Sequence, residues 1–152
     1  MRIADFKAAP RRSTESAVEK AWAATWREMG IYSRHMADAV PGLPDRYIGG
    51  GKWVEFKSLY RVRGEFTYGE GLTAEQIRTC SDLTDAGDSV YYCAQLDGWE
   101  HGKRYLFVPF RDVRRLLGKG LRYEEFGCSY NNTGDPATAE TRKFYSRYLI
   151  NG

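Results

Sequence analysis

The stretch Gly42-Leu43-Pro44-Asp45, followed at 55–57 by Glu55-Phe56-Lys57, limits what this chain can fold into more than any other. Residues 46–54 read as two short strands joined by a Gly49-Gly50-Gly51 turn, with Asp45 at the start of the first. Glu55 and Lys57 alternate along the second strand, so their side chains share one face. A strand that turns back on itself brings its ends together, which lets Asp45 approach Glu55 across the hairpin. Two carboxylates and an ammonium on one sheet face are not a hydrophobic core. They suit the binding of a hard cation and the handling of a phosphate.

The flanking segments supply a frame for that hairpin. Ser13 or Ser16 can cap a helix running to about Met29 and stopped by Gly30, with Val18, Ala21, Trp22, Thr25 and Met29 on its inner face. Glu15 and Glu19 lie one turn apart on that helix. Spacing alone makes Glu19 the partner of Ser16 in a capping box. Residues 31–36 read as a first strand, and residues 60–71, rich in Gly, Arg and Tyr, as a mobile loop beside the hairpin. Thr73-Ala74-Glu75-Gln76 opens a second helix to about Ala86, closed by Gly87. Residues 89–96 form a buried-type strand, 97–103 a turn, and 104–108 its returning partner. A short helix follows at 110–117, closed by Gly118. Residues 128–134 are loop, and Asp135-Pro136 starts a last helix with Phe144, Tyr145, Tyr148 and Leu149 as its buried stripe. The order predicts an α/β domain, with a central mixed five-stranded sheet flanked by helices.

Composition narrows the setting. A chain of 152 residues predicts one domain, 1–152, with a real core. The net charge of +3 permits a polyanionic partner without demanding one. Arg11 and Arg12, Arg61 and Arg63, then Arg111, Arg114, Arg115, Lys119 and Arg122 form local basic groups, each of which is also an ordinary solvated surface feature. Cys80, Cys93 and Cys128 lack any CxxC spacing, which predicts reduced thiols and a cytoplasmic location. His35 and His101 are isolated. No signal peptide or membrane span is expected. Trp22, Trp26, Trp53 and Trp99 are expected in core or interface positions.

Phosphodiester hydrolysis needs an activated water, neutralised phosphate charge and help for the leaving oxygen. Mg²⁺ (or Mn²⁺ in its place) on Asp45 and Glu55, with the Phe56 carbonyl as a neutral oxygen ligand, meets those needs. Lys57 then lies near the attacking water, where it orients that water or stabilises developing negative charge. Close carboxylates without a cation repel, and one pKa rises.

Pro44-Asp45 followed by Glu55-Phe56-Lys57 resembles the motif of the PD-(D/E)xK nuclease superfamily. Ser16-Ala17-Val18-Glu19-Lys20, Glu55-Phe56-Lys57-Ser58, Gln76 and Val108-Pro109-Phe110 ahead of Arg114-Arg115 resemble archaeal-type Holliday junction resolvases. Gly42-Leu43-Pro44-Asp45 and Leu72-Thr73-Ala74-Glu75-Gln76 are similar to the VRR-NUC branch. The resemblance covers about residues 13–117. It leaves out the 61–71 insert, the longer turn around Trp99 and the helical extension at about 135–150.

That resemblance implies a restriction-endonuclease-like core and a Mg²⁺-dependent endonuclease, most concretely one that resolves four-way DNA junctions as a homodimer. A VRR-NUC-like or restriction-type nuclease on flaps, ends or duplex DNA is the alternative, and an inactive nucleic-acid-binding module a more distant one. It turns Glu19 from a cap into a metal-site residue, with Glu15 its competitor, and makes Gln76 an active-site neighbour. The implied catalytic set is Glu19, Asp45, Glu55, Lys57 and Gln76. Arg11, Arg12, Arg61, Arg63, Arg114 and Arg115 become candidate phosphate contacts, with Tyr60 and Tyr68 as base-stacking candidates.

Overall fold

Thr14, whose hydroxyl accepts from the Ala17 N–H at 3.0 Å, closes the first turn of the leading helix. The cap is therefore Thr14 and not Ser13 or Ser16, so no Ser16-Glu19 capping box forms. The computed structural model describes residues 14–37, 39–99, 102–121 and 139–151. Its elements in chain order are α1 (Glu15–Glu28), β1 (Arg34–His35), β2 (Arg46–Gly49), β3 (Lys52–Tyr60), α2 (Ala74–Asp85), β4 (Ser89–Trp99), β5 (Gly102–Pro109), α3 (Phe110–Arg115) and α4 (Ala139–Asn151).

The strands form one five-stranded sheet in the order β1-β2-β3-β4-β5. Only β3 and β4 are parallel, in register from Lys52↔Ser89 to Tyr60↔Asp97. A parallel pair needs a crossover, and α2 supplies it. The other pairings are antiparallel. This is an α/β fold with a mixed sheet flanked by helices.

Both sheet faces are covered, so β4 reads as a nearly continuous apolar run. One face buries Val54, Phe56, Tyr91, Cys93, Tyr105 and Phe107 under Val18, Trp22 and Trp26 of α1 and Tyr145 and Leu149 of α4. The other buries Val90, Tyr92, Ala94, Leu96, Leu106 and Val108 under Cys80 of α2 and Phe110 and Val113 of α3. Polar links fix the α1–α4 seam. Trp26 Nε1 donates to Ser146 Oγ at 2.9 Å, and Arg142 Nε donates to Thr25 Oγ1 at 2.7 Å. Lys52 Nζ reaches the α4 carbonyls of Leu149 and Ile150 at 2.8 and 3.0 Å, satisfying acceptors that a helix end leaves open.

Several expected boundaries shift. The first strand shrinks to Arg34–His35, because only those residues meet β2. The turn expected at 97–103 gives way to longer strands that reach Trp99↔Gly102. The helix expected at 110–117 ends at Arg115. On α4, Tyr145 and Leu149 are buried, whereas Phe144 is 43% exposed and lies outside the stripe. The Tyr148 and Trp99 side chains, His101, Arg122, the 128–134 loop with Cys128, and the Asp135-Pro136 start lie outside the described residues. Cys80 and Cys93 are buried free thiols. Among the described residues no helix is long and apolar enough to cross a membrane.

Candidate active site

Three consecutive glycines make the hairpin possible. Gly49, Gly50 and Gly51 have φ of 91°, 59° and 75°, a left-handed run that side chains with a Cβ resist. Leading into β2, Gly42 adopts φ 82°, and a Cβ there would lie 2.7 Å from Thr79 Oγ1 and 2.8 Å from Glu75 Cγ. The Gly-Leu-Pro-Asp corner thus rests directly on α2, which sets the height at which Asp45 enters the sheet.

The pairing Arg46↔Val54 places Asp45 opposite Glu55 at the next rung. Asp45 Oδ2 accepts from the Phe56 N–H at 2.7 Å. In an extended residue the N–H and C=O point to the same side, so the Phe56 carbonyl also faces the β2 edge. Glu55 is 2% exposed, and its Oε2 is buried without a hydrogen-bond partner. Burial, followed by the hydrogen bond with Asp45 and the Asp45 charge, pushes the Glu55 carboxyl up to about 10; Lys57 opposes this and Glu15 adds to it. The same surroundings, burial first and then the Glu55 and Asp45 charges, push the Cys80 thiol up to about 12.

An orphaned buried carboxylate oxygen beside a second carboxylate and a backbone carbonyl is an all-oxygen donor set that fits Mg²⁺. Among the described residues no three His, Cys, Asp or Glu converge as a ready-made cation cage. Two carboxylates suffice for Mg²⁺, which keeps positions for water and phosphate.

Lys57, 5% exposed, donates from Nζ to Gln76 Oε1 at 3.2 Å. Gln76 Oε1 also accepts from the Thr73 N–H at 2.9 Å, while the Gln76 N–H donates to Thr73 Oγ1 at 3.1 Å. Gln76 is therefore both the capping partner of Thr73 and the neighbour of Lys57. The first turns of α1 and α2 both meet Lys57, through Glu15 and Gln76, so the positive ends of two helix dipoles lie at the site.

Glu19 stands apart from these groups. Its Oε2 lies 2.7 Å from His35 Nδ1 and accepts from Arg46 Nη1 at 2.9 Å. Glu15, one turn earlier, puts Oε1 3.7 Å from Lys57 Nζ. Its charge is also among those that raise the Glu55 carboxyl. Of the two carboxylates, Glu15 is the one that faces Lys57, while Glu19 pairs with His35 and Arg46. Glu19 braces α1 against β1 and β2. Measured side by side, Glu15→Gln is expected to weaken Mg²⁺ binding at the site about tenfold. Glu19→Gln should chiefly lower the melting temperature. Isothermal titration with Mg²⁺ and thermal unfolding separate the two, and the reverse pattern would return Glu19 to the metal site.

The expected basic contacts divide. Arg61 turns inward, with Nη2 donating to Glu70 Oε2 at 2.8 Å and Nη1 to the Glu65 carbonyl at 2.6 Å. The 61–71 segment is thereby pinned rather than mobile. Arg114 of α3 pairs with Asp85, the last residue of α2, at 2.9 Å, and Arg115 with Asp112 of its own helix at 3.9 Å. Arg63 is exposed. Arg11 and Arg12 lie outside the described residues. Tyr68, 3% exposed, cannot stack on a base, and Tyr60 is half-buried. Trp22 and Trp26 are core residues, while Trp53 packs on Tyr47 with ring centroids 4.7 Å apart and donates to Asp88 Oδ2 at 2.9 Å.

Sequence reasoning missed Tyr92 and Glu70. Tyr92 is the register partner of Glu55, a relation that only the parallel β3–β4 pairing reveals. Compared with known proteins, the chain matches no family model and no curated protein.

Proposed function

We propose that the chain is a Mg²⁺-dependent endonuclease with a restriction-endonuclease-like core, hydrolysing phosphodiester bonds in DNA. What supports this reading is the meeting of Asp45, the buried Glu55 carboxylate with its unpartnered Oε2, and the sequestered ammonium of Lys57 on one sheet face. The PD-(D/E)xK resemblance assigns the same residues to the same chemistry.

Asp45, Glu55 and the Phe56 carbonyl would hold Mg²⁺, which supplies charge neutralisation at the phosphate and favours hydroxide over water. Taking up the cation requires Glu55 to lose the proton it shares with Asp45, and Lys57 favours that loss. Lys57, oriented by Gln76, presents its N–H donors to the attacking water and to the charge growing on the phosphate. The two helix N-termini add to the same field. Glu15 faces the Lys57 ammonium from the other side, with Oε1 3.7 Å from Nζ.

For substrate, the reading favours branched DNA, a four-way junction above all, cut by a homodimer whose two-fold axis matches that of the junction. Purified protein with Mg²⁺ is expected to cut junction DNA in preference to flap, single-stranded and linear duplex DNA. Binding should weaken steeply with added salt. Absence of Mg²⁺-dependent cleavage on all four substrates would overturn the nuclease reading. Equal cleavage of all four would overturn junction selectivity and favour a flap-, end- or duplex-cutting enzyme.

A further inference from the structure

The 61–71 segment is organised around one carboxylate. Glu70 Oε2 accepts from Arg61 Nη2 at 2.8 Å, and Glu70 Oε1 accepts from the Thr67 N–H at 3.1 Å. The Arg61 guanidinium also lies 5.5 Å over the ring of Phe66, which is 1% exposed and anchors the loop in the core. The backbone carbonyl of Glu70 accepts from the Tyr92 hydroxyl at 2.8 Å. Tyr92 is itself fully buried on β4, opposite Glu55. Side chain and main chain of Glu70 are thus both held, by groups from different parts of the fold.

The next residue touches the catalytic lysine. A Cβ on Gly71 would stand 3.2 Å from Lys57 Cδ and 3.3 Å from Leu59 Cδ2, and its φ is 86°. The backbone of Gly71 therefore lies along the Lys57 stem, where a side chain would be strained by the positive φ and would crowd the stem by a few tenths of an ångström. A stem packed in this way leaves the ammonium little freedom, and the donor is already aimed before substrate arrives.

We propose that Glu70 is a positioning residue for Lys57, acting through Gly71, with Arg61, Thr67 and the Tyr92 hydroxyl holding Glu70 in place. This rests on the nuclease reading for its catalytic consequence, but the positioning itself is measurable without activity. It also gives Arg61 an internal role in place of a phosphate contact.

The test uses the full chain with ¹³C,¹⁵N-labelled lysine, the Lys57 resonances being assigned by their loss in Lys57→Arg. Glu70→Ala and Tyr92→Phe are expected to shift and broaden the Lys57 Cε and Nζ signals. With Mg²⁺ and DNA, the same variants should lose about 10- to 100-fold in kcat while KM for DNA stays within about threefold. Tyr92→Phe conserves volume, so it carries the test if Glu70→Ala does not fold. Unmoved Lys57 signals in a folded variant would overturn the proposal, whatever the activity. So would a lowered melting temperature with kcat unchanged, or Arg61→Ala raising KM with kcat intact. Shifted signals in a protein that cuts no DNA would support the positioning and overturn the nuclease reading instead.

Discussion

Lys57→Ala is expected to lower kcat for Mg²⁺-dependent DNA cleavage by about 10³-fold while leaving Mg²⁺ affinity and the fold largely intact. The side chain is buried, its ammonium held by Gln76 and faced by Glu15, and its stem covered by Gly71. Nothing in that arrangement serves the core, which packs well around aromatic and aliphatic side chains on both faces of the sheet. Lys57→Arg should rescue little, because the planar guanidinium needs more room than the packed stem leaves and replaces a point charge. Single-turnover cleavage at saturating DNA, with Mg²⁺ titration in parallel, checks this. A drop of less than about tenfold would remove Lys57 from the chemistry.

The second large effect concerns Glu55, where function and stability pull in opposite directions. Glu55→Gln should abolish cleavage and Mg²⁺ binding, yet raise the stability of the metal-free protein near pH 8 by about 1–3 kcal/mol. The glutamine amide can donate to Asp45 permanently, as only the protonated acid does in the wild-type chain. Glu55 has its pKa raised from 4.5 to about 10 on folding, chiefly by burial. The folded state then holds a proton that unfolding releases, so its stability is full below the unfolded value and falls as pH rises through the interval. The slope across that interval is about 1.4 kcal/mol per pH unit for a single proton. Denaturant unfolding at pH 5, 7 and 9 should show that decline in the wild type and a flatter profile in Glu55→Gln. Mg²⁺ should raise the wild-type melting temperature at pH 8 and leave the variant unchanged. Parallel pH profiles for the two proteins would show that Glu55 ionises freely in the fold.

Local signals in the sequence carried much of this architecture. The Thr73-Gln76 box, the triple glycine and the alternation of Glu55 with Lys57 act over a few residues, and all three take the expected form. What failed was longer in range. Whether Glu15 or Glu19 comes nearer to Lys57 depends on how far α1 slides along its axis, fixed by Trp22 and Trp26 against Phe56 and by Arg46 on another strand. Helical spacing cannot choose between positions one turn apart on one face. The 60–71 segment read as mobile because it has no periodicity, but its order comes from the Arg61–Glu70 pair and a tyrosine on β4. Arg61 carried no sign of its partner because Glu70 is nine residues on and not spaced as a helix neighbour, whereas Arg114 is the surface charge its composition suggests, paired with Asp85.

The α1–α4 seam has a consequence for how the molecule comes into being. Trp26 and Ser146, joined by a hydrogen bond, lie 120 positions apart. During synthesis the hairpin can close early, since its partners are near neighbours, but the aromatic face of the sheet, which α1 covers only in part, is not closed until residues 139–151 emerge. A nascent chain therefore carries Asp45 and Glu55 side by side before it owns a complete hydrophobic interior, and in that interval Trp22, Trp26 and Phe107 are open to self-association. Any change that delays α4 prolongs the exposure, so solubility in a cell depends on an element far in sequence from the Asp45–Lys57 hairpin.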